Sequence, residues 1–193
     1  MGTSVISGSI GEVEPALLLS AKPHEEYFEP HWFAVYTRAN HEKSVAEELE
    51  RRSVECLLPL HETVSRRKDR RVRLHLPLFP GYVFVRLALR DRLRVLKISS
   101  VVRFVGFGGN PTPLQGEDIE TIRACLDRNH PMQPHAYVQR GQRVRVLSGP
   151  LQGLTGIVVR QKNCTRFVVS LDLLMRSIAV EISISDIIPY TRT

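Results

Sequence analysis

The sequence predicts an α+β unit followed by a compact β unit, and three observations carry that prediction. The first is the run Tyr82-Val83-Phe84-Val85-Arg86-Leu87, aromatic and β-branched, headed by Pro80-Gly81. Proline fixes φ and glycine permits positive φ, so a turn delivers the chain into a strand. The second is helical spacing, at Val45, Ala46 and Leu49 and again at Ile119, Ile122, Ala124, Cys125 and Leu126, on or near one side of a helix. The third is a break at Asn129–His135, rich in proline and histidine, after which only short β runs with glycine corners follow.

In chain order, residues 1–30 mix Gly, Ser, Pro and Glu without a sustained period, and read as a flexible tail. Trp32–Tyr36 is a first strand. Asn40 is the expected N-cap of a helix running from Glu42 to Arg52, with Glu42 favourable against the helix dipole. Val54–Leu60 is a second strand, His61–Arg73 a charged hairpin, and Leu74–Leu87 one or two returning strands. Arg90–Ser99 is a short helix, Val101–Val105 a strand, Gly106–Pro111 a loop and Glu117–Arg128 a helix. Residues 129–136 are the expected linker. Beyond it, Arg143–Leu147, Gly156–Gln161, Arg166–Leu171 and Ile178–Ile182, with a last turn near Ile187, suggest a small SH3-like barrel.

Composition narrows the function classes. The 193 residues carry a net charge of +7. Residues 1–30 hold Lys22 against Glu12, Glu14, Glu25, Glu26 and Glu29, so the rest of the chain is more basic than the total. A basic body attracts phosphate backbones or acidic protein surfaces. No 18-residue apolar run is present to span a bilayer, and no basic-then-apolar leader opens the chain. Cys56, Cys125 and Cys164 are far apart, with no C-x-x-C pair, which fits free thiols in a reducing cytoplasm. Phosphate-cradling, zinc-hydrolase and nucleophile-elbow motifs are absent, and the histidines lack metal-ligand spacing. The sequence therefore points to binding rather than catalysis, with no metal and no cofactor.

Two constellations remain. Phe79, Pro80, Tyr82 and Phe84 cluster, and Tyr82 and Phe84 share one face of their strand. Val83 and Val85, on the other face, read as core. Whether the aromatic face is a second core or an interaction surface stays open on the residues alone. The basic cluster comprises Arg51, Arg52, Arg66, Arg67, Lys68, Arg70, Arg71 and Arg73, opposed by Glu55, Glu62 and Asp69. It is either a solvated face or a surface for nucleic-acid phosphates.

The stretch Leu78-Phe79-Pro80-Gly81-Tyr82-Val83-Phe84-Val85 resembles the LFPGYVFV signature of the NusG N-terminal (NGN) domain. His31–Arg38 resembles the opening strand of that domain, and Gly141–Val158 is similar to a KOW motif. The three stand in the family's order over about residues 31 to 190. The resemblance implies an NGN domain at 31–128, an antiparallel sheet flanked by helices, and a KOW barrel at 137–193.

It also implies a transcription elongation factor that is not an enzyme and acts in the cytoplasm as a monomer. Phe79, Pro80, Tyr82 and Phe84 would take the clamp helices of the largest RNA polymerase subunit. Arg38, His41, Arg51 and Arg52 match by place the residues that meet the non-template DNA strand. Arg66, Arg67, Lys68, Arg70 and Arg71 would reach the opposite wall of the cleft. The KOW domain would offer a surface to Rho or a small-subunit ribosomal protein. The short hairpin tip and Leu173–Ser177 look like specialised RfaH- and UpxY-like antitermination paralogues. The alternatives are a housekeeping NusG and, from another class, a KOW-type structural RNA-binding protein. The β-branched Ile157–Val159, Phe167–Val169 and Ile178–Val180 favour a stable barrel over a helical alternative.

Overall fold

A computed structural model describes residues 25–67, 70–127, 131–135, 137, 141–149, 151–161 and 164–190. The expected tail lies almost entirely outside the described residues. A single helical turn α1 (Glu25–Phe28) leads into β1 (His31–Thr37), α2 (Glu42–Arg51) and β2 (Glu55–Leu57). A ribbon follows, β3 (Leu60–Arg67) and β4 (Arg70–Pro77), then β5 (Tyr82–Leu87). A 3₁₀ turn (Leu89–Asp91), α3 (Arg92–Leu96) and β6 (Val101–Phe104) come next. The small hairpin β7 (Gly106–Phe107) and β8 (Asn110–Pro111) precedes α4 (Gly116–Asp127). The last strands are β9 (Met132–His135), β10 (Gln142–Val146), β11 (Thr155–Gln161), β12 (Cys164–Leu171), β13 (Arg176–Ile182) and β14 (Ile187–Pro189).

The N-terminal sheet is antiparallel in the order β2-β5-β1-β6. Alternation along β1 and β5 gives it two buried faces. Phe33, Val35, Val83, Val85 and Leu87 face Val45 and Leu49 of α2, Val95 of α3, and Ile98 and Phe104. Trp32, Ala34 and Phe84 face Leu78, Phe79 and Ile119, Ile122 and Cys125 of α4. Burying each large side chain contributes about 1.5–3 kcal/mol relative to leaving it exposed. Helices close both faces, so the strands read as nearly continuous apolar runs.

The C-terminal sheet has six antiparallel strands in the order β14-β10-β11-β12-β13-β9. Gly156 is required there by close packing. A Cβ at that position would stand 2.7 Å from the Phe167 ring and 2.9 Å from the Val168 carbonyl oxygen. This strand-rich unit matches the expected KOW-type domain, and the whole is the expected α+β class. Helix α4 lies against β1 on one side and β12 on the other. No helix among the described residues is long and apolar enough to cross a membrane.

Four local readings change. The strand expected at Val54–Leu60 divides at Leu58-Pro59, where proline offers no N–H to a ladder. The charged hairpin is longer than expected, an eight-pair ladder from Leu60↔Pro77 to Arg67↔Arg70. The N-cap is His41 rather than Asn40, which sits in the left-handed region at φ 63°. The expected linker contains β9, which pairs with β13 from Ser177↔His135 to Val180↔Met132. Met132 is buried in the core, so the C-terminal sheet starts inside the segment taken for a connector.

Candidate functional site

At one end of the N-terminal sheet, three adjacent strands present a row of side chains. Tyr82 of β5 pairs with Tyr36 of β1, and Tyr36 pairs with Arg103 of β6. The tyrosine rings lie 5.5 Å apart and tilted by 53°, and the Arg103 guanidinium stands 5.7 Å from the Tyr36 ring. Tyr36 is 38% exposed, Pro80 and Arg103 are exposed, and Tyr82 is half-buried. A half-wet aromatic pair bordered by a cation and a proline suits a protein surface that brings apolar side chains and acidic groups.

The turn that feeds this row is built from Phe79-Pro80-Gly81-Tyr82. Tyr82 N–H donates to the Phe79 carbonyl at 3.1 Å, and Gly81 has φ +85°. Proline followed by glycine at positive φ is the pairing a type II turn demands. The Gly81 carbonyl accepts the Thr37 N–H at 2.9 Å. The Gly81 N–H donates to Glu42 Oε1 at 2.7 Å, from the first turn of α2.

The four aromatic-cluster residues divide. Pro80 and Tyr82 belong to the exposed row. Phe79 and Phe84 do not: they are 1% and 0% exposed and meet edge to face at 5.3 Å. Phe84 lies opposite the small Ala34, which leaves room for its ring against the sheet, and residues of α4 complete the cluster over it. An exposed Phe79–Phe84 patch is therefore corrected to core. Tyr36 and Arg103, absent from the sequence-derived site, take their place. Strand alternation carries that signal, since Tyr36 falls four residues after Trp32 and so on the same face.

The four residues matched to the DNA strand are not brought together. Arg38 and His41 are exposed beside the start of α2, where the Arg38 N–H donates to the Ser100 carbonyl at 2.9 Å. Arg51 and Arg52 sit at its far end, roughly 15 Å away along ten residues of helix. Arg52 Nε donates to Glu48 Oε1 at 2.9 Å, and Arg51 Nη2 stands 2.7 Å from Glu48 Oε2. Arg52 Nη1 donates to the Arg94 carbonyl at 2.9 Å, and the Arg94 guanidinium donates back to the Arg52 carbonyl. This reciprocal lock ties α2 to α3. The Arg52 hydrogen bond, with the charges of Arg51 and Arg52, holds the Glu48 carboxyl below its ordinary value. A depressed acid contributes stability at neutral pH and loses it as pH falls through the carboxylate range.

In the ribbon, Arg66 lies opposite Arg71 and Arg67 opposite Arg70. Lys68, at the tip, lies outside the described residues. Arg73 Nε stands 3.3 Å from Glu62 Oε1. A further basic strip went unread in the sequence: Arg92, Arg94 and Lys97 are exposed on and just after α3, beside Leu93 at 60% exposure. Cys56 is half-buried, and desolvation, with Glu50 and Glu55 nearby, pushes its thiol up to about 11. That keeps it protonated and unreactive at neutral pH.

Comparison with known proteins places this geometry. The family model described as "Transcription termination factor nusG" matches residues 30–123. That span holds both faces of the N-terminal sheet and the whole Tyr82–Tyr36–Arg103 row. Relatives named "Transcription termination/antitermination protein NusG" extend the likeness. The one from Helicobacter pylori (strain J99) is 28% identical over 139 residues, covering 66% of this chain and 79% of the relative. The one from Pseudomonas aeruginosa is 26% identical over 171 residues, covering 81% and 96%. The chain belongs to the NusG family. As a NusG-family member it is a transcription factor, and its N-terminal sheet with α2, α3 and α4 is the NGN domain. A solved structure of Thermotoga maritima NusG, titled for its domain interaction, aligns with TM-score 0.49 at 22% identity, covering 82% of this chain and 96% of that one.

Proposed function

We propose that the chain binds RNA polymerase through the row Pro80, Tyr82, Tyr36 and Arg103 and holds the transcribing enzyme in its pause-resistant state, suppressing pausing and termination. The partner surface is the pair of clamp helices of the largest subunit. The observation that carries the reading is the row itself: a half-wet aromatic pair at one end of the sheet, bordered by the exposed Pro80 and Arg103. Burying the rest of Tyr36 and Tyr82 against a helix tip supplies affinity, and Arg103 offers charge to an acidic residue there.

The ribbon β3–β4 reaches the opposite wall of the cleft through Arg66, Arg67, Lys68, Arg70 and Arg71. A factor held at both walls favours the closed clamp only by its differential affinity for that state. Each 1.4 kcal/mol of difference shifts the open-to-closed ratio tenfold. Arg38 and His41 lie beside the row and are the residues to meet the non-template strand. In this reading the NGN domain spans residues 31–128, and the KOW domain takes in β9 from within the expected connector. The KOW domain would engage Rho or a small-subunit ribosomal protein. The chain works in the cytoplasm, as a monomer and as a binding protein rather than an enzyme.

The test is Tyr36→Ala with Tyr82→Ala. Affinity for core polymerase is expected to fall at least about tenfold, as for truncation of aromatic anchors, while melting changes little. Pause escape and read-through at a terminator should fall in parallel. Wild-type affinity in the double variant would remove the row from the polymerase contact. Adding Rho to the read-through assay separates the paralogue from the housekeeping reading. Increased termination that depends on this chain would favour the housekeeping role.

A further inference from the structure

We infer that Glu42 is a positioning residue for the aromatic row, holding the Pro80–Gly81 turn in place through a buried carboxyl group. The inference rests on the polymerase-contact reading for its consequence and on geometry for its substance. Glu42 is 5% exposed, in the first turn of α2. Its Oε1 accepts the Gly81 N–H at 2.7 Å, between residues 39 positions apart in the chain. Removing a carboxyl group from water costs several kcal/mol unless it is hydrogen-bonded. An acid is retained here because it meets a need an apolar residue cannot: Gly81 presents an N–H turned away from the β1–β5 ladder, and that buried donor would otherwise be orphaned. The start of a ten-residue helix also favours a negative group.

The Gly81 peptide is consequently pinned on both sides. Its carbonyl takes the Thr37 N–H and its N–H goes to Glu42. The Tyr36 ring rests against it, with Cε2 3.2 Å from where a Cβ would stand. Pro80 and Tyr82 flank it directly. The chain that carries Glu42 also carries Arg38 and His41, closed by the His41 N–H to Arg38 carbonyl bond at 3.1 Å. Glu42 thus makes one corner of two proposed surfaces: the row for polymerase and the loop for nucleic acid. Without its acceptor, Gly81 itself keeps only the bond to Thr37, and the turn relies on the Tyr82 N–H to Phe79 carbonyl bond alone for its closure. The Tyr36–Tyr82 pair then loses the floor that sets its tilt.

Reach and charge are separable. Glu42→Asp keeps the charge and withdraws the acceptor by one methylene. Glu42→Gln keeps the reach and the acceptor and removes the charge. In the full-length chain, Glu42→Asp is expected to weaken core-polymerase affinity about tenfold, the scale of one hydrogen bond to a charged group, and Glu42→Gln to stay within about threefold. In a Tyr36→Ala background the Asp substitution should change affinity less than about twofold, because its effect passes through the row. Asp equal to wild type, Gln as weak as Asp, or an undiminished Asp effect in the Tyr36→Ala background would each overturn the assignment.

An NMR readout stands apart from polymerase. In Glu42→Asp, Gly81 should lose amide-exchange protection and the ring-current shift from Tyr36, and in Glu42→Gln it should keep both. If Tyr36→Ala with Tyr82→Ala binds polymerase normally while Gly81 behaves as stated, the polymerase contact fails and the positioning role survives. If Gly81 is as protected in Glu42→Asp as in wild type, the positioning role fails whatever the row binds.

Discussion

Phe84→Ala is expected to be a folding variant rather than a binding variant, which separates the buried aromatics from the exposed ones. The Phe84 side chain is fully buried, opposite Ala34 and edge-on to Phe79. Truncating a core phenylalanine costs about 3–5 kcal/mol in lost transfer and cavity terms, including the edge-to-face contact. Ala34 cannot grow to fill the gap, and α4 is held above it by the Arg123 guanidinium, 5.2 Å from the Trp32 ring and 3.0 Å from Glu55. Little collapse is therefore available, which favours the upper half of that range. At about 2–4 °C per kcal/mol for a chain of this size, the melting temperature should fall by roughly 8–20 °C. Tyr36→Ala, losing a half-exposed ring and a cation–π contact of about 0.5–1 kcal/mol, should lower it by only a few degrees. Thermal melts by circular dichroism, beside polymerase affinity measured well below the transition, read both quantities. A Phe84→Ala protein that melts within about 2 °C of wild type and has lost polymerase binding would refute the division. Phe84 would then be a contact residue and the closed face of the sheet an opening one.

Two further outcomes are expected. A fragment starting at Pro131 should show a β-type spectrum and melt higher than one starting at Tyr137, because the shorter piece loses β9 and the buried Met132; equal melting would make β9 dispensable. Alkylation of Cys56 in the folded chain should be slow at pH 8 and accelerate only as pH approaches about 11. Burial favours the neutral thiol, so folding loses stability as pH rises from the ordinary thiol value of 9.0 through that point. A folded-state rate that plateaus by pH 9 would contradict the desolvated environment.

How much of this was legible in the sequence depends on whether the deciding contact is local. Pro80-Gly81 announces a turn because the dihedrals it needs are properties of those two residues. The alternation that separates Val83 and Val85 from Tyr82 and Phe84 is likewise local, and it correctly divides the two faces of the sheet. The fate of Tyr82 and Phe84 is not local. They share a face, and α4, more than thirty residues on, covers Phe84 while leaving Tyr82 half in water. Strand β9 was hidden by its composition, Met-Gln-Pro-His, which has neither β-branching nor alternation. It is tolerated as a strand because it lies at the edge of its sheet, where proline's missing N–H breaks no ladder. Glu42 was read as a helix-dipole residue, and nothing near it in sequence reveals that its acceptor serves Gly81.

The basic cluster shows the same distinction in electrostatic form. By count, Arg51 and Arg52 are equivalent to Arg70 and Arg71, all cations in one 23-residue stretch. In the fold they are opposites. Glu48 pairs with both members of the first pair and offsets one of their two charges, and Arg52 also donates to the backbone of α3. In the ribbon, the backbone ladder sets arginine opposite arginine at two successive positions. The hairpin stands outside both sheets, as its own two-stranded element. The bonds at the end of α2 thus hold Arg51 and Arg52 to Glu48 and α3, whereas the ribbon's arginines share one ladder that stands apart from both sheets, a difference that a count of charges along the chain does not reveal.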